Sequence, residues 1–135
     1  MINIVIVTHG EFGAYLTEAA ETIVGVQAAG LKNISISSRM SLERVAALIA
    51  DAAAEMASPD GLIFLIDMPG GTPMNVVLPV ARDISSSAVI CGVNINMVMS
   101  AFTGRKALGF DALVTKIMED GKKAVCEVKS LLIKK

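Results

Sequence analysis

The sequence predicts an α/β domain built on one doubly wound, mostly parallel sheet with helices on both faces. Two observations carry this. Short β-branched, apolar runs alternate along the chain with longer stretches of helical apolar spacing. Hydrophobic residues make up 53% of the chain, which fits a sheet covered on both faces or a surface buried against a second subunit. At 135 residues, with no repeat, low-complexity tract or Ser/Pro-rich linker, residues 1–135 read as one domain.

The elements follow in order. Residues 3–8 are a β-branched run and form the first strand. Residues 12–24 place Phe12, Leu16, Ala19, Ala20 and Ile23 at helical spacing and stop at Gly25. Residues 31–37 alternate through Leu31, Ile34 and Ile36 as a weaker strand. Ser41 is placed to cap a helix over 42–57 with Leu42, Val45, Leu48, Ile49, Ala52 and Ala53 on one stripe. Pro59-Asp60-Gly61 is a turn, and residues 61–66 are the strongest buried-strand run. A helix over 73–83 has Thr72 as its expected cap and Pro73 at its first position. Pro79 inside it should kink or shorten it. Residues 87–93 form a fourth strand, 95–103 a short helix stopped by Gly104, and 110–120 a helix stopped by Gly121. Residues 124–133 read as a last strand, antiparallel to the rest, with lysines behind it.

Several function classes drop out. The 12 basic and 13 acidic side chains nearly cancel, so no basic field exists to hold nucleic acid. Mean hydropathy is +0.62, but apolar stretches such as Leu62 to Ile66 fall far short of the ~20 residues of a spanning helix. The start lacks a basic n-region and a cleavage site, so a cytoplasmic setting is expected, with Cys91 and Cys126 as buried reduced thiols. One histidine without a Cys-His set makes no zinc site, and neither a metal nor a cofactor is expected.

In a doubly wound sheet, ligands sit beyond the carboxyl ends of the strands where strand order reverses, here after residues 8, 37, 67 and 93. Thr8-His9-Gly10-Glu11-Phe12-Gly13 follows the first strand, and His9 is the chain's only histidine. A lone histidine is often structural, but one at the carboxyl edge lies outside the core. The flanking glycines Gly10 and Gly13 admit a close partner. After the third strand comes Asp67-Met68-Pro69-Gly70-Gly71-Thr72-Pro73. This reads either as a turn with a helix cap or as an anion cradle at a helix N-terminus. It is not a Walker loop, since no Gly-Lys-Ser/Thr is present. No Gly-x-Ser-x-Gly elbow supports a hydrolase triad.

If the first and third strands are neighbours, His9 and Asp67 share one edge. The carboxylate then fixes the ring tautomer, frees the other nitrogen as a nucleophile and stabilises the cation formed on attack. Gly10, Gly70, Gly71 and Thr72 would hold phosphoryl oxygens, which is most of what phosphoryl transfer asks of a protein. Nothing chelates magnesium convincingly, so the donor is expected to be an activated phosphoryl group rather than ATP.

The segments Ile4 to Gly10, Phe64 to Asp67 with Gly70-Gly71-Thr72-Pro73-Met74-Asn75, and Gly92 to Met97 resemble, in order and spacing, the IIA component of the mannose-family sugar phosphotransferase system. The resemblance implies a IIA-type phosphocarrier domain acting as a phosphotransferase component. In it, His9 accepts phosphate through Nε2 from the phosphocarrier protein HPr, Asp67 lies on Nδ1, and a phosphohistidine passes the group to a IIB partner during sugar uptake. It also implies a homodimer that exchanges the last strand, a separate IIB chain, and membrane contact only through the IIC/IID transporter. Thr72 stands where serine is common, Asn96 replaces a frequent proline, and Pro69 replaces a bulkier residue. Two other readings share the pocket: the phosphotransfer subunit of a dihydroxyacetone kinase, and a non-catalytic regulatory module.

Weaker features are weighed beside these. Met68, Met74 and Phe12 could form an apolar collar around His9, while Met97 and Met99 read as core filler. Arg39 and Arg105 could meet a partner or phosphate but read first as solvated surface charge. Lys122, Lys123, Lys129, Lys134 and Lys135 read as gatekeepers of the last strand or solvated charge.

Overall fold

The structure, a computed structural model, describes residues 1–133. Four strands, β1 (Asn3–His9), β2 (Leu31–Ile36), β3 (Leu62–Ile66) and β4 (Ser87–Cys91), form one sheet in the order β2-β1-β3-β4. All three pairings are parallel. The two inner strands are the most apolar: Ile4 to Val7 of β1 are fully buried, and so is every residue of β3. Each such large side chain contributes about 1.5–3 kcal/mol by leaving water.

Alternation along the strands splits the core in two. Ile4, Ile6, Ile63 and Leu65 face α1 (Phe12–Val24), α4 (Ile95–Gly104) and α5 (Phe110–Lys123). Val5, Val7, Phe64 and Ile66 face α2 (Leu42–Glu55) and α3 (Thr72–Arg82). The doubly wound sheet expected from the sequence is therefore the fold. Strand order reverses between β1 and β3, which sets the switch point of this fold at their carboxyl ends.

Several expectations are corrected. Residues 128–133 form a short helix, α6 (Val128–Ile133), not a strand. Glu127 accepts from the Lys129 and Ser130 N–H groups, each at 2.9 Å, and so closes the first turn locally where no strand neighbour is at hand. No residue of α6 is buried. Lys122 and Lys123 consequently sit in the last turn of α5, facing its carbonyl end, rather than guarding a strand. Lys129 lies in α6, and Lys134 and Lys135 fall outside the described residues. Gly121 does not stop α5; it lies inside the helix under Met97, whose side chain fills the space where a Cβ would stand. Helix α3 continues past Pro79 to Arg82.

Arg105 is neither solvated nor near the carboxyl edge. It is 1% exposed, and its guanidinium donates to the Ile2 carbonyl (3.2 Å), the Ala29 carbonyl (2.5 Å) and Gln27 Oε1 (3.1 Å). Burial pushes its pKa below the ordinary arginine value. The side chain ties the start of β1 to the loop entering β2, at the end of the sheet opposite His9. Neither cysteine is fully buried as expected: Cys91 is half-buried at the end of edge strand β4 and Cys126 is exposed just before α6, both as free thiols.

Truncating Arg105 leaves three acceptors without a donor. Arg105→Met is expected to lower stability by about 2–4 kcal/mol, measured as a shift in urea unfolding at unchanged slope.

Candidate functional site

The site forms because β1 outruns β3. Their register ends at Val7 opposite Ile66, so Thr8 and His9 extend beyond the last paired residue of β3. Asp67, the first residue after β3, turns its side chain into that space. Its Oδ2 accepts the His9 backbone N–H at 2.8 Å and lies 2.8 Å from His9 Nδ1. Its Oδ1 accepts the Met68 N–H at 2.9 Å. Burial pushes the Asp67 carboxyl upward, but the hydrogen bonds from the His9 N–H, the His9 ring and the Met68 N–H outweigh it. The net pKa lies below the ordinary value of 3.8. The carboxylate is therefore ionised at neutral pH, and an ionised carboxylate only accepts. That places a proton on Nδ1 of His9 and the free lone pair on Nε2.

The ring itself is open, with 51% of its side-chain surface exposed against 12% for Asp67. On the α3 side it meets Gly71. A Cβ there would stand 3.2 Å from His9 Cε1 and 3.6 Å from Nε2, so a larger residue would press on the ring carbon beside the nitrogen that carries the lone pair. Gly70, with φ of +82°, turns the chain between Asp67 and α3, and Met74 Sδ accepts its N–H at 3.3 Å.

The expected cap moves by one residue. Gly71 is extended (φ −92°, ψ 179°) and its carbonyl takes the first helical bond, from Asn75 N–H at 3.1 Å. Gly71 is thus the cap, and Thr72 is the first helical residue, its side chain lining the site. In the first turn of α3 Pro73 has no N–H, so Thr72 and Met74 carry the N–H groups without a carbonyl below them, and the helix dipole adds partial positive charge there.

A cavity of about 570 Å³ adjoins the ring, lined by His9, Gly10, Ser37, Ser38, Met40 and Thr72 among others. The structure thus brings together His9, Asp67, Gly10, Gly71 and Thr72, with Gly70 in the connecting turn. Of the apolar collar, Phe12 and Met68 are about half exposed and Met74 is half-buried. Arg39 is exposed in the β2–α2 loop, and Met97 is core. Burial pushes the Cys91 thiol up, and the Asp67 charge adds to it, so the thiol stays protonated near the site. Among the described residues no group of three or more His, Cys, Asp or Glu is placed to hold a metal ion.

Sequence reasoning passed over Ser37, Ser38 and Met40, which line the cavity from the β2–α2 loop. Their position after the second strand was the available signal.

The family described as "PTS system fructose IIA component" (EIIA-man) matches residues 3–118. The chain belongs to this family. It is a IIA component of the mannose-type phosphotransferase system. This IIA chain is 33% identical, over 99% of its length, to the mannose-specific EIIAB component of Escherichia coli (strain K12). It spans 42% of the length of that relative. Among solved structures, it superposes with a TM-score of 0.84 on phosphotransferase system component EIIA from Streptococcus agalactiae, at 27% identity over 96% of this chain and 99% of that one. The mannose/sorbose-specific IIA subunit from Enterococcus faecalis shares the fold, with a TM-score of 0.82 at 23% identity over 93% and 92% of the two chains. No described helix is long and apolar enough to cross a membrane.

The folded Asp67 carboxyl binds its proton more weakly than the unfolded one. Its contribution to stability is therefore present above the ordinary value of 3.8 and is lost as pH falls through the lower, folded value. The stability gap between the wild type and Asp67→Asn should hold steady from about pH 7 to about pH 5 and narrow below. Urea unfolding across a pH series checks this, and a gap that widens on acidification would contradict it.

Proposed function

We propose that this IIA component carries a phosphoryl group on His9. The observation that supports it best is the His9–Asp67 pair: a half-exposed imidazole whose Nδ1–H is held by an ionised carboxylate while Nε2 faces the start of α3. In the forward step the Nε2 lone pair attacks phosphorus of phospho-HPr. A new N–P bond forms, the P–N bond to the donor histidine breaks, and that histidine leaves with the electron pair. Nδ1 keeps its proton, donated to Asp67, whose negative charge offsets the positive charge that develops on the ring. Gly70, Gly71 and Thr72, with the Thr72 and Met74 N–H groups at the start of α3, take the phosphoryl oxygens. The group then passes to a separate IIB protein for sugar uptake and phosphorylation. The protein acts in the cytoplasm, touching the membrane only through the transporter subunits.

A homodimer belongs to this reading. In α6, Val128, Leu131, Leu132 and Ile133 are all more than half exposed. A groove of about 710 Å³ runs beside the edge strand β4, lined in part by Leu78, Pro79, Ala88 and Val89. Apolar surface of this extent is normally covered. Replacing Leu131 and Leu132 together by Asp should shift the protein toward monomer in sedimentation velocity, with helix content near that of the wild type.

Incubation with enzyme I, HPr and phosphoenolpyruvate tests the carrier. The expected product is an acid-labile, base-stable adduct of roughly 80 Da on His9. His9→Ala should abolish it with the fold intact. Asp67→Ala should slow transfer roughly ten- to a hundredfold yet leave some, because the carboxylate orients the nucleophile without being one. No adduct on the wild type would refute the carrier reading.

A further inference from the structure

We infer that Thr8 is a positioning residue for His9, acting through its hydroxyl; this rests on the carrier reading. Thr8 is fully buried at the end of β1, on the face that packs against α1, one residue from the imidazole. Its Oγ1 accepts the Gly13 N–H at 2.8 Å and donates to the Gly10 carbonyl at 3.2 Å. A single hydroxyl thus ties both ends of the Gly10–Gly13 turn to the strand.

Three further observations point the same way. The N-cap residue of α1, Glu11, makes no side-chain capping bond, so the hydroxyl of Thr8 supplies from the strand the acceptor that the first turn of this helix lacks. Gly13 allows the approach: a Cβ there would lie 3.1 Å from Thr8 Oγ1 and 2.9 Å from Ile6 Cγ2. Gly10 is held from the other side by its N–H bond to the Ile36 carbonyl at 2.8 Å, and has φ of +55°. With Asp67 on the His9 N–H, the backbone that carries the imidazole is fixed from β2, from β3 and from its own strand. Only the Thr8 contact comes from beneath the turn.

Thr8→Val keeps the shape and removes the hydroxyl; Thr8→Ser keeps the hydroxyl and removes the methyl. Nitrogen-15 NMR of the His9 ring in the unphosphorylated protein reads the tautomer without any transfer step. In folded Thr8→Val the Nδ1–H form should lose population, and kcat for phosphorylation by phospho-HPr should fall roughly tenfold or more with KM for phospho-HPr within about twofold. Thr8→Ser should restore both. An unchanged ring spectrum and kcat in folded Thr8→Val would overturn the inference. Should Thr8→Val fail to fold, Thr8→Ser decides: wild-type ring signals and kcat support the hydroxyl, and their loss overturns it. If wild type takes no phosphate, the carrier reading fails, while the ring spectra still judge Thr8.

Discussion

One carboxylate oxygen organises the carboxyl edge of this sheet. Asp67 Oδ2 holds the backbone N–H of His9 and, at the same distance, its ring nitrogen. The first bond does what a ladder carbonyl would do if β3 were longer. The second converts that structural bond into control of the ring. Because both fall on one atom, the imidazole cannot swing without disturbing the end of β1. Hydrogen bonding defeats desolvation at this carboxyl, so at neutral pH the ring faces an anion. Tautomer, ring direction and the open Nε2 all follow from that.

Around this pair the two neighbouring helix starts do different things. Helix α1 is sewn to the strand beneath it by the Thr8 hydroxyl and by the close pass of Gly13. Helix α3 begins at a glycine with no side-chain cap, beside a ring it would crowd if it bore a methyl group. Its Thr72 and Met74 N–H groups lack a helical acceptor, and the Gly71 cap lies against the His9 ring. The edge thus sets an imidazole on β1, a carboxylate after β3 and a positive helix end side by side.

The sheet, its helices and the His9–Asp67 juxtaposition were legible because each depends on a local pattern and one topological rule. Apolar alternation placed the strands, and the reversal of strand order placed their carboxyl ends together. What escaped depends on contacts that the apolar pattern does not announce. Arg105 looks like any surface arginine until Ile2, Gln27 and Ala29 arrive around it from the other end of the chain. Thr8 reads as a strand residue; its role needs Gly13 to fold back over it. The cap at α3 moved from Thr72 to Gly71, because an extended glycine carbonyl can start the helix one residue earlier. The tail failed for a different reason. Its apolar run has no neighbour within the described chain, so the carboxylate of Glu127 and local helical bonds decide its shape.

The exposure of His9 fits the proposed carrier better than an enzyme that works on a small molecule. A site that processes a free metabolite gains from enclosing it, because exclusion of water strengthens every dipole aimed at the reacting atoms. Here half of the imidazole stays in the open, with half-exposed Phe12 and Met68 nearby in sequence to each member of the pair. In an inter-protein transfer the enclosure is completed only when the partner docks. On the carrier proposal, before that moment the protein need only keep the ring in the right tautomer and direction, which the contacts from Asp67 and Thr8 serve. Apolar surface near the rim would then do for a partner what a lid does for a substrate: exclude water while the phosphorus moves between two nitrogens.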